Sequence, residues 1–481
     1  MSTDIINKPL IAKDHETDSL NPFTGQILTH SSKRFIEDKI LDEIYLEARE
    51  ENSRLPSPYA LMTNRVSKHQ LENGIPVHDL HYQEYMFNKK YPQDYIVTYN
   101  SPFDFKFSFC GYYQNLICSD WYSWKTQNKV FCGYEIMKNI VAFKTDLEFI
   151  NLPYNRVGIP SFRLEDIIRE NNFNNVPHNA SEDVSALISL FNLMRFESTE
   201  IVRQAMFCSS KKFIKDLMNE NLFLCTAMGF SDDISGKIIA PLCFSPDGSN
   251  FLGLDISLVN PDELISLSSW DIYLLIQKKY DIDNIFLKIP INKAKIFFPE
   301  NFYMKCYNPH LLSLDKLKNR ALKLRRNKDI KEVALGALKF FDEQFRKETS
   351  VEPEKLIFES FVTPSETNFI NQFNNLNWKD RWKFIQDNGI LNQDNRIVRL
   401  GKKTILEYDF SIAPCDVQER YRRYCEKKLF NFNNTKEDAG HINISDVINE
   451  LNILKRDHPS EIKHIKELEE YYDNRLAIKY K

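Results

Sequence analysis

Hydrophobic and polar positions divide the 481-residue chain into three differently patterned stretches. In the first 200 residues, short apolar runs alternate with helical periods. LIAK (10–13) predicts a short strand ending at Asp14, and IVTYN (96–100) predicts another. SEDVSALISLFNLM (181–194) predicts a helix with Val184, Leu187, Phe191 and Met194 on one face. This is an α/β layout. From about Asn221 the runs become strand-like: LFLCTAM, KIIAPLCFS and FLGLDIS, the last two flanking the turn residues PDGSN. A mostly β module is therefore expected over roughly 205–310. LDKLKNRALKLRRNKDIKEVALGALKFF (314–341) has a helical period throughout, TSVEPEK reads as a linker, and the remainder to Lys481 predicts helices with charged, amphipathic ends.

Composition adds bounds rather than chemistry. A length of 481 residues with 42% hydrophobic content suits roughly three domains, each with a core. No apolar run reaches 18 residues, and MSTDIINKPL lacks a secretory pattern, so a cytoplasmic protein without a membrane segment is expected. The nine cysteines form no C-x-x-C pair and read as reduced, mostly buried thiols. His78-x-x-His81 has no partner at ligand spacing and reads as surface or loop histidines rather than zinc ligands. A net charge of −4 excludes wholesale coating of nucleic acid and leaves room for a local basic groove. The run Lys316 to Lys331, and Arg420, Arg422 and Arg423, suit either such a groove or a solvated face. FDFKFSFCGYYQNLICSDWYSW (103–124) packs aromatics densely; most read as helix core, with Trp121, Tyr122 and Trp124 as candidates to stack on unpaired bases.

Candidate chemistry begins at KDHETD (13–18). Chance supplies about nine acidic-x-acidic pairs in a chain with 67 acids, so Asp14-x-Glu16 carries weight only in company. On a strand, Asp14 and Glu16 share a side. Two-metal phosphodiester cleavage needs several carboxylates, because two hard cations must be neutralised and held together. The chain offers Asp104 just after the IVTYN strand and Asp183 at the start of the 181–194 helix. His178, five residues before Asp183, is a candidate base for the attacking water.

The order D-x-E, Y-N-x-x-F-D, H-x-x-x-x-D resembles that of the DnaQ-like, or DEDDh, 3′ to 5′ exonucleases. That resemblance implies Asp14, Glu16, Asp104 and Asp183 as metal ligands, with His178 as general base. LPSPYALMTNRV (55–66), GIPSFRLEDI (158–167), APLCFSPDG, IPINKAKIFF (289–298) and YRRY (421–424) are similar to segments of the bacterial exodeoxyribonuclease I family, and extend the likeness over nearly the whole chain. The family implies an RNase H-like (DnaQ-like) exonuclease domain over 8–200, an SH3-like β domain with a trailing basic helix over 201–348, and a C-terminal helical domain over 353–481. It implies two Mg²⁺ ions, with Mn²⁺ as a substitute, and contacts to single-stranded DNA from Glu16 and Arg163, beside the stacking candidate Trp124. It also implies a monomer that binds the acidic C-terminal tail of single-stranded DNA-binding protein. Several positions depart from the family: Phe105 follows Asp104 where a second acid is frequent, NKVFCGYEIMK (128–138) lacks the usual W-D-L start, and three further positions differ. His15 replaces an aromatic between the acids, on the opposite side of the strand from them. Phe109 stands in place of an arginine that faces DNA. Asn64 stands in place of a turn glycine, as a residue that tolerates the left-handed conformation. An exoribonuclease with the same site, or a silent single-strand-binding protein, are the alternatives.

Overall fold

The strand that carries KDHETD is the centre of the molecule's larger sheet. The computed structural model describes residues 7–119, 129–143, 147–155, 158–173, 179–229, 234–264, 267–277, 285–291, 294–305, 312–344, 352–358, 360, 362–388, 391–430 and 440–477. Strands β1 (Leu10–Thr17), β2 (Ile27–Ile36), β3 (Lys39–Glu47), β4 (Tyr95–Thr98) and β5 (Lys129–Cys132) lie in the order β3-β2-β1-β4-β5. β3, β2 and β1 pair antiparallel, whereas β1, β4 and β5 run parallel. Where the sequence predicted an end at Asp14, β1 continues to Thr17, because β2 supplies partners beyond the acids: His15 opposes His30 and Glu16 opposes Thr29. β4 pairs only with Leu10 to Ala12 among the residues of β1, so the polar half of the central strand projects past its parallel neighbour.

Three helices flank this projecting end: α1 (Val77–Lys90), α2 (Ser101–Gln114) and α3 (Ala180–Glu197). Leu10 and Ala12 join the buried cluster of Val184, Leu187 and Phe191 on α3, whereas Ile11 packs with Phe87 of α1 and Phe105 of α2. Successive side chains of β1 thus enter different layers.

Strands β6 (Leu224–Met228), β7 (Ser235–Phe244), β8 (Asn250–Asp255) and β9 (Phe286–Pro290) form a second, antiparallel sheet in chain order. One apolar cluster runs continuously from Leu10 and Phe191 to Cys225, Leu254 and Leu338, so the two sheets share a core. The basic run forms two helices rather than the single one predicted: α4 (Leu314–Arg326) and Lys328–Gln344. Asn327 breaks it with an extended ψ of 104° and uses its side chain to accept from the Ile330 N–H at 3.1 Å, restarting the helix.

The C-terminal helices close back on the larger sheet's helices. Cys110, Tyr113 and Leu116 pack with Phe369, Trp382 and Leu400, and the helices Ile444–Asp457 and Ile462–Ala477 cover Leu28, Leu55 and Leu61. Among the described residues no helix is long and apolar enough to cross a membrane. The eight described cysteines are free, and six of them are buried.

Candidate active site

Asp14 and Glu16 emerge on one face of β1, in register with Ser31 and Thr29 of β2. Asp183 reaches them from the first turn of α3, whose N-cap Asn179 accepts from the N–H groups of Ser181 (3.1 Å) and Glu182 (3.3 Å). Lys33 of β2 fastens the same turn, donating to the Ser181 carbonyl (3.0 Å) and the Ser185 hydroxyl (2.7 Å). Carboxylate oxygens of Asp14, Glu16 and Asp183 lie within 4.8 Å of one another. Asp104 stands in the first turn of α2, buried, and belongs to no such triplet among the described residues, yet its charge acts on both strand acids. Both helix starts favour an anion in their first turn.

This crowding has an electrostatic signature. Burial, then repulsion from Glu16, Asp104 and Asp183, raises the Asp14 pKa well above the usual carboxylate range. Burial and the neighbouring Asp183 and Asp104 push Glu16 up to about 8. Burial takes Asp104 to about 7 against the pull of Lys13. Like charges held this close without a counter-ion shift their pKa values upward until a cation or a proton neutralises them. The oxygen-only donor set and the unrelieved repulsion fit hard divalent cations.

The other face of β1 is organised differently. Lys13, fully buried, donates to the Glu84 carboxylate of α1 and to the Ser108 hydroxyl of α2 (2.7 Å). Ser108 donates to Glu84 (2.7 Å), and His81 meets Glu84 at 3.4 Å. His15 Nε2 lies 2.9 Å from His30 Nδ1 and 3.5 Å from Glu84, while its Nδ1 faces Asp104 Oδ1 at 3.7 Å. Burial raises the Glu84 carboxyl, but the Lys13 ammonium, with the His15 and His81 rings beside it, holds it well below the normal range. Burial takes His15 down to about 4. At Gly111 of α2 a Cβ would lie 2.0 Å from the His81 ring, so glycine lets the two helices close over this network.

Other predicted residues fall variously. His178, Trp121, Tyr122 and Trp124 lie outside the described residues. Arg163 stands at the N-terminal boundary of the short helix Leu164–Glu170 with an exposed side chain that makes no capping bond, and Glu165 two positions on contributes to the raised pKa of Glu16, which sets this loop beside the acids. Phe109 faces Phe105 at 5.9 Å and packs against the C-terminal helices. His78 and His81, expected at the surface or in a loop, are buried on α1: Trp378 and Tyr408 cover His78, and Glu84 anchors His81. Asn64 is not left-handed. Its φ is −83° because its amide reaches back to the Thr17 carbonyl (2.9 Å), and the positive φ falls on Arg65. In the basic run, Lys318 pairs with Glu300, Lys323 with Asp262, and Arg320 and Arg325 donate to backbone carbonyls, so much of that charge ties α4 to its surroundings. Arg420, Arg422 and Arg423 make exposed pairs with Asp416 and Glu419 on their own helix.

The network of Lys13, His15, His30 and Glu84, and the Lys33 brace, went unread in the sequence. Four consecutive polar residues, KDHE, within a strand gave the available signal: both faces of that strand needed polar partners.

Comparison with known proteins places the fold. No family model matches the sequence. The order of the first sheet, its flanking helices and the appended β and helical modules define an RNase H-like exonuclease fold extended by two further parts. In sequence the chain is similar to proteins named exodeoxyribonuclease I. It is 24% identical to the Haemophilus influenzae protein over 437 residues, 86% of this chain and 89% of that one. It is 23% identical to that of Buchnera aphidicola subsp. Schizaphis graminum over 416 residues, 79% of this chain and 78% of that one. Among solved structures, exonuclease I from Methylocaldum szegediense superposes with a TM-score of 0.81 at 18% identity, covering 97% of this chain and 99% of that one. E. coli exonuclease I with a dA16 oligonucleotide also gives 0.81, at 17% identity over 97% and 100% of the chains. The zinc-bound E. coli complex with single-stranded DNA gives 0.80, at 18% identity over 98% and 100%.

Proposed function

We propose that this chain is a 3′ to 5′ exonuclease that degrades single-stranded DNA to nucleoside 5′-monophosphates, with Mg²⁺ as its working metal and Mn²⁺ as a substitute. The observation that carries the reading is the cluster of Asp14, Glu16 and Asp183. Its carboxylates converge within 4.8 Å at the projecting end of the central strand, in a chain similar over 86% of its length to an exodeoxyribonuclease I. When bound, divalent cations activate water and neutralise charge on the transferred phosphate and the departing oxygen.

The chain's own residues supply the rest. Asp14, Glu16 and Asp183 hold the cations, with Asp104 completing the set from α2. His178 accepts the proton of the attacking water. Arg163, exposed beside the acids, bonds the DNA backbone, and Trp124 offers a stacking face. The resemblance further supports a monomeric, cytoplasmic enzyme of DNA repair that binds the acidic tail of single-stranded DNA-binding protein.

The test uses matched DNA and RNA oligonucleotides labelled at the 5′ end, with Mg²⁺ or with chelator. A ladder that shortens on DNA and stops with chelator is the expected result. Shortening on RNA alone would make the chain an exoribonuclease, and binding without shortening would make it a silent single-strand-binding protein.

A further inference from the structure

Beneath the acid cluster, a line of hydrogen-bonding groups leads from β2 through β1 to Asp104. Ser32 Oγ is 3.1 Å from His30 Nε2, His30 Nδ1 is 2.9 Å from His15 Nε2, and His15 Nδ1 is 3.7 Å from Asp104 Oδ1. All four residues are buried. His15 Nδ1 makes no hydrogen bond within normal range, and a buried ring nitrogen of this kind calls for a partner. The nearest acidic oxygen to it is Asp104 Oδ1.

We propose that His15 is a positioning residue for Asp104: its Nδ1–H donates to the Asp104 carboxylate, in a tautomer held by the hydrogen-bond chain from Ser32 through His30. As a cation ligand Asp104 would be ionised, and an ionised carboxylate only accepts, so the proton belongs on His15 Nδ1. His15 Nε2 then accepts from His30 Nδ1–H, and His30 Nε2 accepts from the Ser32 hydroxyl. The opposite tautomer sets a lone pair of His15 against the carboxylate. It would also direct Nε2–H toward Glu84, which Lys13, Ser108 and His81 already supply. The 3.7 Å separation needs a shift of roughly half an ångström by the ring or the carboxylate to enter the normal N–H···O range.

A metal site is the rival use of the same groups, because His15, His30 and Glu84 bring ligand atoms within 4.8 Å of one another. The Lys13 ammonium sits on Glu84, so a cation there would meet a buried positive charge, and the two imidazoles already bond each other. The positioning role needs no such displacement.

This inference rests on the reading of Asp104 as a cation ligand. The test measures Mn²⁺ binding to the full chain by calorimetry and spin resonance, beside kcat and KM on single-stranded DNA. Four proteins are compared: wild type, His15→Leu, His15→Asn and His30→Leu. Asparagine branches where the imidazole Nδ1 lies and restores a donor; leucine fills the space without one. Loss of a group that orients a metal ligand costs about 10- to 100-fold in metal affinity or activity, and that loss is expected of His15→Leu. It should fall on one Mn²⁺ ion and on kcat, with KM within about 2-fold of wild type. His15→Asn should recover most of it. His30→Leu, which does not touch Asp104, should show a smaller loss of the same kind, and it carries the test if His15→Leu folds poorly. Wild-type Mn²⁺ affinity in both leucine variants, or no recovery in His15→Asn, would overturn the proposal. So would an additional ion in the wild type that His30→Leu removes, which would make the triad a metal site. If the wild type neither binds Mn²⁺ nor shortens DNA, the functional reading fails with it, an outcome distinct from the others.

Discussion

The two faces of β1 carry alternate residues of one short sequence and solve opposite electrostatic problems. Asp14 and Glu16 face Asp183 with carboxylates set against carboxylates, so their protons are held well above the usual range. Lys13 and His15, one residue out of step, face α1 and α2, where every charge has a partner and Glu84 is held ionised. One face stores repulsion that a bound cation relieves; the other is neutralised by the protein itself. A nearly closed network directly beneath an open one gives the open face a rigid floor, which a site of convergent carboxylates needs if it is to hold its geometry.

The largest test of this contrast removes a member of the open face. Asp183→Ala should lower exonuclease activity by roughly 10³-fold or more, of the order expected when several kcal/mol of transition-state charge stabilisation is lost. The melting temperature without metal should stay the same or rise, because repulsion is relieved. Full activity, measured on a 5′-labelled oligonucleotide, would remove Asp183 from the site. The closed face should answer in the other currency. Lys13→Met leaves Glu84 buried without its cation and should cost about 3–5 kcal/mol of stability in denaturant unfolding. Adding Glu84→Leu to Lys13→Met should recover more than half of that cost. A single variant as stable as wild type would show that the ammonium is not needed to balance Glu84.

These faces explain what the sequence could and could not disclose. Alternation placed Asp14 and Glu16 together and gave α3 its apolar face, since both follow from local periodicity. The floor was hidden because its members are distant in sequence: Lys13 and Glu84 are 71 positions apart, and Lys13 and Ser108 are 95 apart. In KDHE all four residues are polar, so no pattern of apolar positions marks which face is inside. The division of the basic run was missed for a different reason, since Asn327 is a local cap inside an otherwise unbroken helical period, whereas the lack of long-range information is what hid the floor. That lack likewise set His78 and His81 at the surface, where the C-terminal helices and Glu84 in fact enclose them.

A pH titration of stability separates the faces without mutating them. On the open face the folded pKa values exceed the unfolded ones: about 8 against 4.5 for Glu16, and about 7 against 3.8 for Asp104. The folded state therefore binds more protons, and the stability these groups contribute is present at low pH and lost as pH rises toward 8. On the closed face His15 has a folded value of about 4 against 6.5, so the unfolded state binds more protons. That contribution is present above 6.5 and lost as pH falls toward 4. Between about pH 4.5 and 6.5 the two contributions oppose each other, and above about 6.5 only the acids still titrate, so the metal-free melting temperature should fall along a high-pH limb from about pH 6.5 to 8, while the imidazole acts only on the low-pH limb below 6.5. Saturating Mg²⁺ or the Glu16→Gln variant should flatten the high-pH limb and leave the low-pH limb in place. A high-pH limb unchanged by Mg²⁺ would break the contrast, because cations would then not be relieving the acids.

The smallest effect asks whether the open face owes its shape to charge or to neutral bracing. Lys33 lies on the same side of the sheet as the acids, opposite Ala12, and joins β2 to the first turn of α3 through Ser181 and Ser185. Its bonds are partly exposed, so Lys33→Met should cost only about 1 kcal/mol of stability. The methionine keeps the apolar stem while removing the donor. If the turn's position depends on that donor, Asp183 loses registration with Asp14 and Glu16, and the Mn²⁺ dissociation constant should rise by a few-fold, about the cost of one partly exposed hydrogen bond. An unchanged dissociation constant would mean that the Asn179 cap alone fixes the turn. The open face would then be set by backbone structure, in the same way that the closed face is set by its ions.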